Sequence, residues 1–181
     1  INTCFRSADY AALMADNHKG YAVPIVGVLA YLDRISPSGV GYDLGCGNLA
    51  VKTDFSSAEL RANIGTIMDD VIANISFGVG RNNATKVDHP LFESETWKLH
   101  PAKGLKQLAE NQLGTVGSGN HFCNLMLDES DNVWISVHFG SRGLGHKIAT
   151  YFLKASGAKD GMDVEPLVIP ANTDFGIDYI E

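Results

Sequence analysis

Three glycine-rich stretches carry side chains that could do chemistry together. The first is Gly41-Tyr42-Asp43-Leu44-Gly45-Cys46-Gly47, where a carboxylate and a thiol stand three residues apart. The glycines let the backbone bend so that both side chains can converge on one point. A carboxylate beside a thiolate is a ligand pair for a transition metal. Taken alone, the same spacing also fits a tight turn with a packed cysteine and a solvated aspartate. The second stretch is Gly117-Ser118-Gly119-Asn120-His121-Phe122. It places His121 at the mouth of a strand, with Asn120 and the turn amides able to hold a phosphate; a loop with a capping histidine is the plainer alternative. The third is Val137-His138-Phe139-Gly140-Ser141-Arg142-Gly143. His138 ends a strand, and Arg142 with the amides of a following helix makes an anion site. A strand-to-helix turn with a solvated arginine accounts for it equally well. A fourth stretch, Asp16-Asn17-His18-Lys19-Gly20, reads first as a polar turn. His89, His100 and His146 lack comparable surroundings and read as surface residues.

Together, Asp43, Cys46, His121 and His138 make a candidate dinuclear metal site that handles phosphate. A thiolate can bridge two cations. Ligand type alone would favour zinc, since Cys and His are its usual ligands.

The elements that must position these residues alternate between strand and helix. Ala11–Met14 and Val23–Leu32 read as short strands joined by a polar loop, Asp16–Gly20. Gly39–Thr53 reads as strand, glycine-rich turn and second strand. Ser56 with Glu59 three residues on is a capping box, and Leu60, Ile64, Ile67, Met68, Val71 and Ile75 follow on one helical face through Ile75. Phe77–Pro101 is loop-like, and Leu105–Gln112 is a short helix. His121–Leu127 and Val133–Phe139 form a hairpin across Asp128–Asn132. Gly143–Ser156 is a helix, Asp163–Ala171 is loop-like, and Thr173 caps a last helix that the chain leaves after two turns at Glu181. The fold class is α+β, with mixed or antiparallel sheets flanked by helices. A single domain spans 1–181, and the unfinished apolar ending reads as that of a fragment.

The 181 residues are 45% apolar and 19% charged, as in an ordinary globular protein rather than a disordered one. No apolar run approaches the ~20 residues that cross a bilayer, and Tyr21–Leu32 is broken by Pro24 and Gly27. No membrane partner is expected. The chain opens on Ile1 without a signal-peptide pattern, so either the start was processed or earlier residues are missing. Three cysteines, Cys4, Cys46 and Cys123, make no disulfide framework, which points to a reducing, cytoplasmic setting. A net charge of −7 weighs against a general nucleic-acid binder.

Four ordered runs carry a family resemblance. Asp16-Asn17-His18-Lys19-Gly20-Tyr21 with Pro24-Ile25-Val26-Gly27-Val28 is similar to D-x-H-x-G-Y-G-x-P-I-G-G-V. Gly39–Gly47 resembles G-V-G-Y-D-I-G-C-G. Gln112–Phe122 resembles Q-L-G-T-L-G-S-G-N-H-F, and Val137–Gly145 resembles V-H-S-G-S-R-G-L-G. All four patterns belong to the RtcB family of GTP- and manganese-dependent RNA ligases, and the match covers most of the chain.

The resemblance implies joining of an RNA 3′-phosphate or 2′,3′-cyclic phosphate to a 5′-hydroxyl, as in tRNA splicing and RNA repair. GMP passes from GTP to a histidine and then to the RNA. Two Mn²⁺ ions assist, and Zn²⁺ is a possible substitute. Asp43, Cys46 and His121 would bind one manganese, and Cys46 would bridge to a second held by His138 and a further histidine. Asp16 would orient the nucleophilic histidine. Asn120, with His121 and Phe122, would line the GMP site, and Arg142 would face an RNA phosphate. The implied partners are RNA (tRNA halves or cleaved RNA), GTP and an accessory activator protein. The nucleophilic histidine, the remaining metal histidine and the guanine-contacting lysine correspond to positions beyond Glu181. Asn124 stands where the family has Glu, which weakens the guanine assignment. Phe139 replaces a small polar residue beside His138, and Ala15 and Lys19 differ from the pattern around Asp16. Two other readings stay open: a metal-dependent phosphodiesterase or cyclic-phosphate hydrolase, and a non-catalytic metal- or RNA-binding remnant.

Overall fold

The computed structural model describes residues 2–159, 161 and 164–181. In chain order the elements are α1 (Asn2–Ser7), β1 (Tyr10–His18), β2 (Ile25–Ala30), β3 (Arg34–Ile35), α2 (Pro37–Val40), β4 (Gly47–Ser56), α3 (Ser57–Asn74), α4 (Lys106–Gln112), β5 (Phe122–Leu127), β6 (Asn132–Phe139), α5 (Arg142–Ala155), β7 (Ile169–Pro170) and α6 (Asp174–Ile180). Helices and antiparallel strands mix, as an α+β chain requires. The residues cluster into two compact units. The first holds Ile1–Leu44, Glu95–Gly104 and Gly145–Glu181; the second holds Gly45–Ser94 and Leu105–Leu144.

In the first unit β1 pairs antiparallel with β2, and β3 with β7. The core sits under α5, whose Gly145, Ala149, Phe152 and Leu153 are buried. Their spacing of four, three and one puts them on one helical face. Phe152, 1% exposed, packs against Phe175 and Tyr179 of α6 at ring centroids of 4.9 and 5.0 Å. Thr173 caps α6 as expected, its hydroxyl accepting from the Gly176 amide.

Two expectations need correction here. No strand forms over Gly39–Leu44. Ser36 is instead the N-cap of α2, its hydroxyl accepting from the Gly39 amide, with Pro37 in the first turn. A proline at that position has its φ already set for a helix and lacks only an amide the helix would leave unbonded. Second, β1 does not stop at Met14. It runs on to His18, opposite Ile25, past an irregularity in register between Leu13 and His18. Asp16–His18 therefore belongs to strand rather than loop. The segment 164–171 is irregular up to β7; Asp163 lies outside the described residues.

The second unit is built on the sheet β4-β6-β5, antiparallel throughout. The expected hairpin is present. Its turn is organised by Asp128, whose carboxylate accepts from the amides of Ser130 and Asn132, from Asn132 Nδ2 and from Trp134 Nε1. Those donors, Trp134 first, hold the Asp128 carboxyl well below the usual carboxylate range. The capping box on α3 also forms, with Ser56 Oγ accepting from the Glu59 amide and Glu59 accepting from the Ser56 amide. The apolar stripe of α3 is only partly used: Leu60 is buried, while Ile64 and Met68 are 44% and 41% exposed. The Phe77–Pro101 stretch contains two short 3-10 turns, Pro90–Glu93 and Glu95–Lys98, and no strand or α-helix. No helix among the described residues is long and apolar enough to cross a membrane.

Candidate metal centre

The site residues of the second unit are placed by sheet register. Asn48 on β4, His138 on β6 and Phe122 on β5 are direct cross-strand partners and form one row across the sheet. Residues directly opposite in an antiparallel pair present their side chains on the same face. His138 is the middle of that row. Its ring stacks on Phe122 at 5.8 Å with an interplanar angle of 27°, and its Nδ1 lies 2.8 Å from Asn48 Oδ1.

Beside this row stand Cys46, just before β4, and His121, just before β5. Ligand atoms of Cys46, His121 and His138 lie within 4.8 Å of one another, with Cys46 exposed and both histidines half-buried. Cys46 Sγ and His121 Nε2 are 3.9 Å apart. Two ligands bound at about 2.0–2.3 Å around a tetrahedral cation stand roughly 3.5 Å apart, so a small closing movement brings the group to coordination distance. One thiol and two imidazoles are donors for a borderline-soft transition metal, and their spacing fits one.

Glycine at 117 is what lets these groups approach. Its φ is +105°, and a Cβ there would lie 2.7 Å from His121 Nδ1 and 2.8 Å from Arg142 Cζ. Arg142 is thereby seated against the turn that leads to His121. Its Nε donates to Thr115 Oγ1 at 3.0 Å and its Nη2 to the Gly78 carbonyl at 3.1 Å. Its backbone is held at φ +56°, a region that costs of order 1–3 kcal/mol for a non-glycine residue and persists only where neighbours enforce it. Gln112 holds the residue after Arg142, its Oε1 accepting from the Gly143 amide at the start of α5.

Of the expected metal ligands, the structure gathers Cys46, His121 and His138. Asp43 falls in the first unit, half-buried on an irregular segment between α2 and β4, and is not among those three. Asn120 is adjacent to the group, its Nδ2 3.4 Å from His138 Nε2. Phe122 contributes its ring as described. Asp16 is exposed on β1 in the first unit, where its backbone carbonyl lies 3.0 Å from His18 Nδ1. Phe139 lies opposite Gly47, where an added Cβ would be 3.1 Å from its ring. Cys123 is half-buried, and burial pushes its thiol pKa up, which fits packing rather than ligation. His146 is exposed and stacks on Tyr42 at 4.9 Å.

Reading the sequence missed Asn48, Gln112 and Thr115. A signal existed for the last two: both are polar and stand in the Gln112–Phe122 run, upstream of Gly117; that they are buried, at 4% and 5% exposure, only the structure shows. Buried polar groups in native proteins are hydrogen-bonded to something that matters. Asn48 sits two residues after Cys46, but which residue it opposes becomes visible only with the register.

A family model described as "tRNA-splicing ligase RtcB" matches residues 3–104 and 93–181. The chain is similar to a tRNA-splicing ligase RtcB of Thermococcus kodakarensis, 30% identical over 94% of this chain and 46% of the relative. It is similar to an RNA-splicing ligase RtcB1 of Escherichia coli, 36% identical over 80% of this chain and 39% of the relative. A tRNA-splicing ligase RtcB of Aeropyrum pernix is 29% identical over 80% of this chain and 40% of its own length. The chain spans less than half the length of each of these relatives. The alignment with the Thermococcus protein runs over 223 positions, more than the 181 residues available, so that relative carries residues within the matched span that this chain lacks. The match of the family model over nearly the whole chain, with the relatives above, shows that it belongs to the RtcB family of tRNA-splicing ligases.

Proposed function

We propose that this chain supplies the metal-binding half of an RNA ligase site that joins RNA 3′-phosphate or 2′,3′-cyclic phosphate ends to 5′-hydroxyl ends. The observation that carries this reading is the convergence of Cys46, His121 and His138, drawn from three separate glycine-rich motifs, on one point. Residues dispersed over more than ninety positions come together around a donor set whose common use is a cation.

Cys46, His121 and His138 would hold the metal. A bound divalent cation would supply charge neutralisation at phosphate oxygens. The ligand set favours zinc by affinity; manganese is the functional ion in this reading because family membership supports it, and availability decides between the two. Asn120 offers an amide donor at the rim of the group, suited to a phosphate oxygen. Phe122 and the turn 117–121 wall one side of the site. Arg142 adds positive charge next to His121, which lowers the cost of bringing an anion there. In the finer form of the reading the donor nucleotide is GTP, GMP is carried on a histidine outside this set, and Asp16 orients that histidine. The substrate is RNA, as tRNA halves or other cleaved RNA, and the setting is cytoplasmic.

The test is direct. The chain is titrated with Co²⁺, whose thiolate charge-transfer band reports Cys46, and with Mn²⁺ and Zn²⁺ in competition. Separately, it is incubated with labelled GTP and Mn²⁺ and run on a denaturing gel. Saturable cobalt binding, lost in Cys46→Ala and His121→Ala, with no labelled band from residues 1–181, is the expected outcome. A labelled band would place the nucleophile within this chain, with His18 the first to examine. Phosphate release from cyclic-phosphate RNA without GTP would favour the hydrolase instead.

A further inference from the structure

The geometry points to Asn48 as the positioning residue of His138: its side-chain carbonyl fixes the imidazole in the tautomer that offers Nε2 to a metal. This rests on the metal reading of the site and adds a residue that the motifs do not contain.

Two contacts argue the tautomer independently. Asn48 Oδ1 is an acceptor, so the group 2.8 Å away, His138 Nδ1, must carry the proton. Asn120 Nδ2 is a donor, so the group 3.4 Å away, His138 Nε2, must present its lone pair. Both assignments describe one neutral imidazole, protonated on Nδ1 and open on Nε2. That nitrogen faces Asn120, and the His121 ring stands 5.4 Å from that of His138.

Position follows from the sheet. Asn48 and His138 are paired residues of neighbouring strands, so their side chains leave the sheet on the same face. On the other flank, Phe122 is the paired residue of β5 and lies against the ring face. The imidazole is thus fixed in rotation by stacking and in polarity by Asn48. Metal-bound histidines usually donate their second ring nitrogen to a carbonyl or carboxylate, and removing that acceptor typically costs 10–100-fold in metal affinity. Asn48 is exposed, so its replacement leaves no hole in the core.

The chain is compared with Asn48→Leu, which keeps the approximate size and removes the acceptor, and Asn48→Asp, which keeps an acceptor and adds charge. Histidine ¹⁵N–¹H correlation spectra of the metal-free proteins read the His138 tautomer, and Co²⁺ titration reads affinity. The original chain and Asn48→Asp should show His138 protonated on Nδ1. Asn48→Leu should shift towards the Nε2-protonated form and bind Co²⁺ about 10–100-fold more weakly, while Asn48→Asp binds at least as tightly as Asn48. If Asn48→Leu keeps the Nδ1 tautomer, or Asn48→Asp loses affinity as far as Asn48→Leu does, the inference is overturned. If the unaltered chain binds no Co²⁺, the metal reading fails, and the tautomer comparison still decides for or against Asn48.

Discussion

Replacing Gly117 with alanine should damage the metal centre more than any other single methyl addition in its loop. Two costs combine. The φ of +105° is a glycine conformation, and holding a residue with a Cβ there costs of order 1–3 kcal/mol. The added Cβ would also overlap Arg142 Nη1 and lie 2.7 Å from His121 Nδ1, so the guanidinium must move. Arg142 donates from Nε to Thr115 and from Nη2 to Gly78, and a hydrogen bond with a charged partner contributes about 1.5–3 kcal/mol. Losing one of them brings the total to about 3 kcal/mol or more, or a fall in Tm of roughly 6–12 °C at this chain length. Gly119 is the internal control. Its φ is +74°, but among the described residues nothing lies within 4 Å of an added Cβ, so Gly119→Ala should cost strain alone, roughly 1 kcal/mol. Thermal unfolding of the two variants, with Co²⁺ titration beside it, measures the difference. Equal Tm shifts, or unimpaired cobalt binding in Gly117→Ala, would refute the claim that close approach of Arg142 and His121 is why position 117 is glycine.

Three further outcomes are expected. Iodoacetamide should label exposed Cys46 first, then Cys123, whose thiol pKa is raised by burial, and last Cys4, 3% exposed and directed at the Ala22 carbonyl; added metal should slow Cys46 alone, and mass spectrometry of the peptides reads the order. Tyr179→Phe should raise Tm by a few degrees, on the order of 2–4 °C. Burial pushes the Tyr179 hydroxyl pKa up to about 12, and that hydroxyl has no hydrogen-bond partner among the described residues, so an unchanged or lower Tm would mean that it is satisfied. Asp128→Ala should lower Tm near neutral pH. Because the folded state depresses this carboxyl below its ordinary 3.8, its contribution is complete above that value and declines as pH falls below it; the gap in Tm between the two proteins should therefore narrow at about pH 2.5, and a gap that is constant with pH would exclude the charged carboxylate as its source.

What was legible in the sequence was local chemistry with a strong mechanism behind it. The Ser56–Glu59 box fixes the start of α3, Thr173 starts α6, and the alternation on either side of Asp128–Asn132 gives the hairpin. Misreadings arose where two local signals competed. In Gly39–Leu44 the apolar and glycine pattern reads as strand, yet Ser36 and Pro37 upstream already commit the backbone to a helical turn. In Asp16–His18 a polar run reads as a loop, yet polar residues pair as well as apolar ones in an exposed strand. For α3 the period of the apolar residues gave the helix correctly, but periodicity states which face is apolar and not what lies against it; Ile64 and Met68 remain 44% and 41% exposed.

The site divides along the same line. Ligand types and their glycine setting were readable in the sequence, and taken together they named Asp43, Cys46, His121 and His138, of which the structure gathers the last three. Their meeting is a property of strand register. Shifting β6 by one residue against β4 would turn His138 to the opposite face of the sheet, with every motif left intact. Much of what holds the register lies outside the motifs: the Asp128 turn that closes β5 on β6, and the four β4–β6 pairs Ala50–Ser136, Val51–Ile135, Lys52–Trp134 and Ser56–Asn132. Asn48 therefore has no meaning as a sequence signal: it is an ordinary polar strand residue until pairing sets it opposite His138. The motifs name the donor atoms, whereas orientation, tautomer and distance come from the sheet.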